Sequence, residues 1–262
     1  MPTFEIDDRT VGYQVHGSGA PVLAVHGTTQ SASAWDQVRA ACEFEASWIC
    51  AELPGSGESS LPSDPIDLDT VVDDFVRLMA SLGHERFDVS GYSLGAVVAL
   101  RLAARHPDRV RSVTSVCGWA TTDARMRLTF DLWARLIETD VTLFMRYALV
   151  DGYTAPALAL LEPMAEGAVS MAASLVQRGS LAHLELDRRV DIAECLGAIT
   201  APCLVVGGLQ DRWVDISHSR HVASLVPKSH SVDIDAGHLL LGERAEEVAG
   251  ALATHLRAAP RD

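Results

Sequence analysis

Three polar side chains stand in settings that suit acyl chemistry: Ser93 in GYSLG, Asp211 in GGLQDRWVD and His238 in DAGHLLLGE. A serine hydroxyl is a weak nucleophile at neutral pH, so it needs a base, and the base needs an orienting carboxylate. Ser, then acid, then His is the order expected when the serine sits on a sharp turn from a strand into a helix. Bulky residues two positions to either side would collide with the crossing strand and helix, which accounts for Gly91 and Gly95. Such a turn lifts the Ser93 hydroxyl above the carboxyl end of a sheet and aims the first free helix amides at the same spot. A glycine-flanked serine also makes an ordinary helix cap, so the elements around it must decide.

A tetrahedral intermediate needs amide donors as well. The backbone N–H of Leu94, next after the serine, supplies one. The second is expected from Thr28 in HGTTQSASAW, where Gly27 lets the chain turn. His26 in that loop is read as a brace working through hydrogen bonds rather than as a second base. Asp211 and Asp215 both compete for the acid role; Asp211 is preferred because it lies nearer the strand end, although it could instead cap the segment after it. Other histidines, His218, His221 and His230, are read as surface loop residues, whereas Ala-Gly before His238 and Leu239 to Leu241 after it suggest a packed turn.

The elements around these residues support that arrangement. Short uninterrupted apolar runs at Val22 to Val25, Trp48 to Ala51, Val113 to Cys117 and Cys203 to Val206 read as parallel strands buried on both faces. Arg86 to Ser90 and Val232 to Asp235 read as further strands, and residues 1 to 15 as an antiparallel edge hairpin turning at Asp7 to Arg9. Between the strands lie helical patterns. Leu68, Val71, Val72, Phe75, Leu78, Met79 and Leu82 repeat with helical period until Gly83, and Leu94 to Arg105 runs to a stop at Pro107. Strand and helix alternate, so the fold class is α/β. From Trp119 to about Asp191 the alternation fails and only broken amphipathic helices remain, with Met126, Phe130, Trp133 and Ile137 on one stripe. The expected organisation is a core of residues 1–118 and 191–262 with a helical cap at 119–190.

At 262 residues the chain suits one domain with such an elaboration. A net charge of -14 opposes binding to nucleic acid or to an anionic membrane, since both require neutralising phosphate. No apolar run approaches the roughly 18 residues of a membrane span, and MPTFEIDDRT has no export pattern, so a cytoplasmic protein is expected. Five cysteines without C-x-x-C spacing argue against a disulfide framework or a zinc site. They read as small core residues in a reducing compartment. No metal or cofactor is expected; the expected partner is a small-molecule substrate, and the assembly a monomer or homodimer.

HG at 26–27, PGSGES at 54–59, GYSLG at 91–95, Asp211 and DAGH at 235–238 together resemble the α/β-hydrolase fold family, in the right order over nearly the whole chain. The resemblance implies a mostly parallel eight-stranded sheet flanked by helices. It also implies Ser93 as nucleophile, Asp211 as acid, His238 as base, and the amides of Thr28 and Leu94 as oxyanion hole. Ser rather than Asp at 93 departs from the epoxide hydrolases and haloalkane dehalogenases of this fold. Glu52 and Pro54 replace the Asp and Arg often seen before the PGSG turn, a change expected to be structural.

The stretch SVCGWATTDARMRLTFDLWARL resembles that of enol-lactonases, carbamate-type hydrolases and biosynthetic tailoring members, which implies an apolar acyl or polyketide-like substrate. Thr29, Tyr92, Trp119, Phe130 and Trp133 are the candidate pocket residues. The expected activity is cleavage of a small-to-medium carboxylic ester, lactone or thioester through an acyl-enzyme. Two alternatives stand beside it: a lyase eliminating acetate or another carboxylate from an acylated tetronate or polyketide intermediate, and a non-catalytic receptor using the same pocket. Fold does not separate them.

Overall fold

The apolar runs form the strands of one eight-stranded sheet in the order β1-β2-β4-β3-β5-β6-β7-β8. In this computed structural model residues 1–260 are described. β1 (Thr3–Ile6) and β2 (Arg9–His16) form the antiparallel edge hairpin, with Arg9 already paired to Ile6 rather than in the turn. β2 also pairs antiparallel with β4 (Ala46–Ala51). From there β3 (Ala20–Val25), β5 (Phe87–Tyr92), β6 (Val110–Val116), β7 (Cys203–Gly208) and β8 (Ser229–Ile234) run parallel with β4.

Alternate side chains of these strands enter different halves of the core, as the pleat requires. Leu23, Val25, Ile49 and Ala51 join one apolar cluster, and Val22, Ala24, Trp48 and Cys50 join the other. The first is covered by α2 (Leu68–Ser81), α3 (Leu94–Arg105) and α9 (Ile216–Leu225). The second is covered by α1 (Asp36–Ala41), α10 (Leu240–Glu243) and α11 (Ala245–Ala258). Asp67 starts α2 by accepting from the Thr70 amide at 2.9 Å, and Gly83 follows its end at φ +83°.

Register sets which loops meet. Val25 pairs with Gly91, Tyr92 with Val116, Val116 with Val206, and Gly208 with Ile234. The loops after β3, β5, β7 and β8 therefore leave one edge of the sheet together, carrying Thr28, Ser93, Asp211 and His238.

Between β6 and β7 lie α4 (Ala124–Thr139), α5 (Val141–Gly152), α6 (Ala155–Leu161), α7 (Ala165–Ser174) and α8 (Ser180–Arg189). A short antiparallel neck closes this segment. Thr121 bridges Asp191, the Thr122 amide donates to the Val190 carbonyl at 2.9 Å, and the Ile192 amide donates to the Ala120 carbonyl at 2.8 Å. Among the described residues no helix is long and apolar enough to cross a membrane.

Candidate active site

Ser93 occupies the one-residue turn between β5 and α3 at φ 54°, ψ -121°, a conformation costing a non-glycine residue on the order of 1–3 kcal/mol. The two glycines are required by contact. A Cβ on Gly91 would stand 2.0 Å from the Gly95 carbonyl oxygen, and one on Gly95 would stand 2.2 Å from that of Val25. Thr29 and Cys117 also have positive φ, at 66° and 50°. Left-handed, strained backbone thus gathers at the ends of β3, β5 and β6, around one point.

At that point the His238 Nε2 lies 3.0 Å from Ser93 Oγ, and its Nδ1 lies 2.7 Å from Asp211 Oδ2. All three residues are buried. The second carboxylate oxygen of Asp211 accepts from the Trp213 and Val214 amides at 2.8 and 2.9 Å, which fixes its rotation. Asp215 serves elsewhere: it caps α9, accepting from the Ser217 amide at 2.9 Å.

Several groups hold His238 in place. Its backbone carbonyl accepts from the Tyr92 hydroxyl at 2.9 Å and from the Cys117 thiol at 3.9 Å. Burial pushes both the Tyr92 phenol and the Cys117 thiol well above their ordinary pKa, so both stay protonated as donors. The imidazole packs against Tyr92 and Trp213, with ring centroids 5.4 and 4.7 Å away. The loop itself is tied to the end of α5, where the Leu239 amide donates to the Gly152 carbonyl at 3.0 Å. Glu243 accepts from the amides of Gly237 at 3.2 Å and Thr154 at 3.3 Å. Cys117, Asp211 and His238 bring possible metal-ligating atoms within 4.8 Å of one another. A neutral thiol is a poor ligand, however, and the carboxylate and imidazole already satisfy each other.

Leu94 is the first residue of α3, so its amide has no acceptor within the helix. Thr28 lies opposite, in the loop after β3. His26 braces that loop: its Nδ1 is 2.8 Å from the Gly27 carbonyl, and its Nε2 accepts from the Leu53 amide at 3.1 Å. Glu52 is buried beside it, 3.1 Å from His26 Nε2, and accepts from the Ala32 amide at 3.1 Å, a structural role.

Above Ser93 is a cavity of about 240 Å³. Of the five residues expected to line it, Thr29, Tyr92 and Trp133 do so. Trp119 and Phe130 do not. They lie behind Trp133: Phe130 stacks between Trp119 (6.1 Å) and Trp133 (5.8 Å), and the Trp119 indole N–H donates to Thr122 Oγ1 at 2.8 Å. The stripe on α4 thus packs mostly inward and offers the cavity only Trp133, which meets Trp213 at 4.5 Å, edge to face. One side of the wall, unmarked in the sequence, comes from Phe144, Met145 and Ala148 of α5 and Leu175 and Val176 after α7, and a polar side comes from Gln30, Ser31 and Ser33. His218, His221 and His230 are not in loops: the first two belong to α9 and the third to β8.

This division gives an expected result. Phe130→Ala should cost about 3–5 kcal/mol of stability with KM little changed. Trp133→Ala should also raise KM several-fold, because it opens the cavity. Melting curves beside steady-state kinetics separate the two; equal KM effects would contradict the placement.

A family profile for the alpha/beta hydrolase fold matches residues 20–245. The chain therefore belongs to the α/β-hydrolase fold family, and it is a hydrolase of that fold. It is similar to the pyrrolizixenacetamide deacetylase of Xenorhabdus hominickii, 26% identical over 251 residues and 94% of each chain. It is also similar to a putative carbamate hydrolase of Azorhizobium caulinodans, 27% identical over 90% of this chain and 91% of that one. Among solved structures it superposes on the enol-lactonase from Burkholderia xenovorans LB400 with a TM-score of 0.87, at 21% identity over 98% of this chain and all of that one.

Proposed function

We propose that the protein is a serine hydrolase cleaving a small-to-medium, uncharged carboxylic ester, lactone or thioester through an acyl-enzyme on Ser93. The unbroken row from Ser93 Oγ through the His238 imidazole to Asp211 carries this reading. Ser93 Oγ attacks the acyl carbon and its proton passes to His238 Nε2. Asp211 keeps the other ring proton on Nδ1 and stabilises the imidazolium. The oxyanion is received by the Leu94 and Thr28 amides. His238 then protonates the leaving group and takes a proton from water; the resulting hydroxide adds to the acyl carbon, the bond to Ser93 Oγ breaks, and His238 returns its proton to that oxygen as the acid leaves.

The cavity wall bears on the substrate. Among the described residues no Asp, Glu, Lys or Arg lines it, and its apolar part includes Trp133, Phe144, Met145, Leu175, Val176 and Trp213. An ionised acyl or leaving group would enter without a counter-charge, at a desolvation cost of several kcal/mol. The relatives' names, an acetamide deacetylase and a carbamate hydrolase, are in keeping with a short acyl group. In this reading residues 119–190 act as the cap that shapes the cavity, and five unpaired cysteines are consistent with a reducing, cytoplasmic setting.

A fluorophosphonate probe tests the assignment. Stoichiometric labelling should fall on Ser93 alone, because an elbow serine beside its base attacks phosphorus readily. Labelling of another serine, or none in an active preparation, would overturn it.

A further inference from the structure

Helix α8 meets the loop after β4 and the loop after β3 through polar contacts. Gly179, which precedes the helix, donates its amide to the Gly55 carbonyl at 2.9 Å, and a Cβ there would stand 2.4 Å from the Pro54 carbonyl oxygen. One turn on, His183 Nε2 is 2.8 Å from that same Pro54 oxygen. Four residues further along the same face, the Thr28 hydroxyl donates to Asp187 Oδ2 at 2.6 Å. Asp187 is wholly buried, and its other carboxyl oxygen has no partner. Its backbone carbonyl accepts from the Thr122 hydroxyl at 2.5 Å, and Thr122 in turn accepts from Trp119. A buried chain thus runs from the segment after β6, through α8, to Thr28.

We propose that Asp187 is a positioning residue, which in its neutral, protonated form holds Thr28 by the hydroxyl so that the Thr28 amide stays aimed at the oxyanion. The inference rests on the acyl-enzyme reading above. A dry carboxyl with one hydrogen bond suits the neutral form, and burial pushes its pKa up to about 8. Ionisation would place an unsolvated negative charge one side chain away from a site that must itself receive negative charge. It would also tighten the pull on Thr28 Oγ1.

The surrounding charged and titratable groups do not remove this effect. On α8, Arg188 is tied to Asp131 of α4 at 2.6 Å, and His183 is held neutral by burial, its pKa lowered to about 3. From α4, Arg127 donates to the Thr122 carbonyl. Beyond Thr28 stand His26 with Glu52, and His238 with Asp211. Both arginines remain charged throughout and His183 stays neutral, so none of these three changes charge as Asp187 ionises.

The test measures kcat and KM for a neutral 4-nitrophenyl ester from pH 6 to 9.5, with melting curves for each variant. Wild type should lose kcat as pH rises through about 8. Asp187→Asn, which keeps an acceptor for Thr28 but cannot ionise, should remove that alkaline limb. Asp187→Leu and Thr28→Val should each lower kcat about tenfold or more at pH 7 with KM within about threefold, since a loosened oxyanion donor costs less than the 10²–10³-fold of a deleted one. A wild-type alkaline limb that persists in Asp187→Asn, or an unchanged kcat in Thr28→Val, overturns the inference. Should Asp187→Leu not fold, Thr28→Val decides, since it leaves α8 intact. Failure of the underlying reading looks different: hydrolysis that survives Ser93→Ala in every background would remove both.

Discussion

Ser93→Ala is expected to lower turnover by roughly 10⁴–10⁶-fold with an unchanged melting temperature. Alanine keeps the Cβ, and the hydroxyl that is lost bonds to His238, so its removal costs the fold little. Its loss to catalysis is nearly complete because nucleophile, base and acid act as one unit. The same variant separates hydrolysis from elimination of a carboxylate. In hydrolysis the acyl group passes to Ser93 and is released by water, so 18O from labelled water enters the freed acid. In elimination His238 would take a proton from an acidic C–H, the Leu94 and Thr28 amides would hold the departing carboxylate, and that acid would leave with both its original oxygens. Activity retained in Ser93→Ala but lost in His238→Ala, with an unsaturated product and no 18O in the acid, would replace the hydrolase mechanism by the lyase one.

The parts of this site that could be read in the sequence are those whose constraints are local. The strand, the glycine pair and the helix around Ser93 lie within about twenty residues, and Gly91 and Gly95 answer to backbone atoms a few ångströms away. Loop positions after β3, β7 and β8, with the order Ser, acid, His, single out Thr28, Asp211 and His238 as candidates. Elements carried by long-range contacts were not legible. Helix α8 is written SLAHLELDRR, and its buried face includes His183 and Asp187, so its hydropathy pattern conceals the side that meets the core. The partners of those two residues are 129 and 159 positions away. The cavity wall is legible only in part, for a related reason. Periodicity shows that Phe130 and Trp133 share a face of α4, but not that Trp119 fills the space behind Phe130 while α5 and the end of α7 close the far side. Glu243 ties the His238 loop to the end of α5, a role that depends on Thr154, 89 positions away, and so leaves no local mark in the sequence.

Asp211→Asn should preserve the fold and lower kcat by about four orders of magnitude, and the surroundings of the carboxylate say why. One of its oxygens accepts from two backbone amides, of Trp213 and Val214, and only an oxygen can take that place. The asparagine must therefore turn its carbonyl to those amides and its NH2 toward His238 Nδ1. A donor there makes Nδ1 an acceptor and moves the ring proton to Nε2, facing Ser93, so the imidazole can no longer take the serine proton. No other rotamer escapes this, because turning the amide over would set NH2 against two N–H groups. Asp215→Asn is expected to leave kcat within about twofold, as Asn caps a helix nearly as well as Asp and the α9 cap is the role Asp215 fills. Steady-state rates of the two variants, with an NMR readout of the His238 tautomer, check the argument. A large loss in Asp215→Asn with little in Asp211→Asn would make Asp215 the orienting acid. A large loss in Asp211→Asn with the ring proton still on Nδ1 would show that charge, rather than the tautomer, is what Asp211 provides.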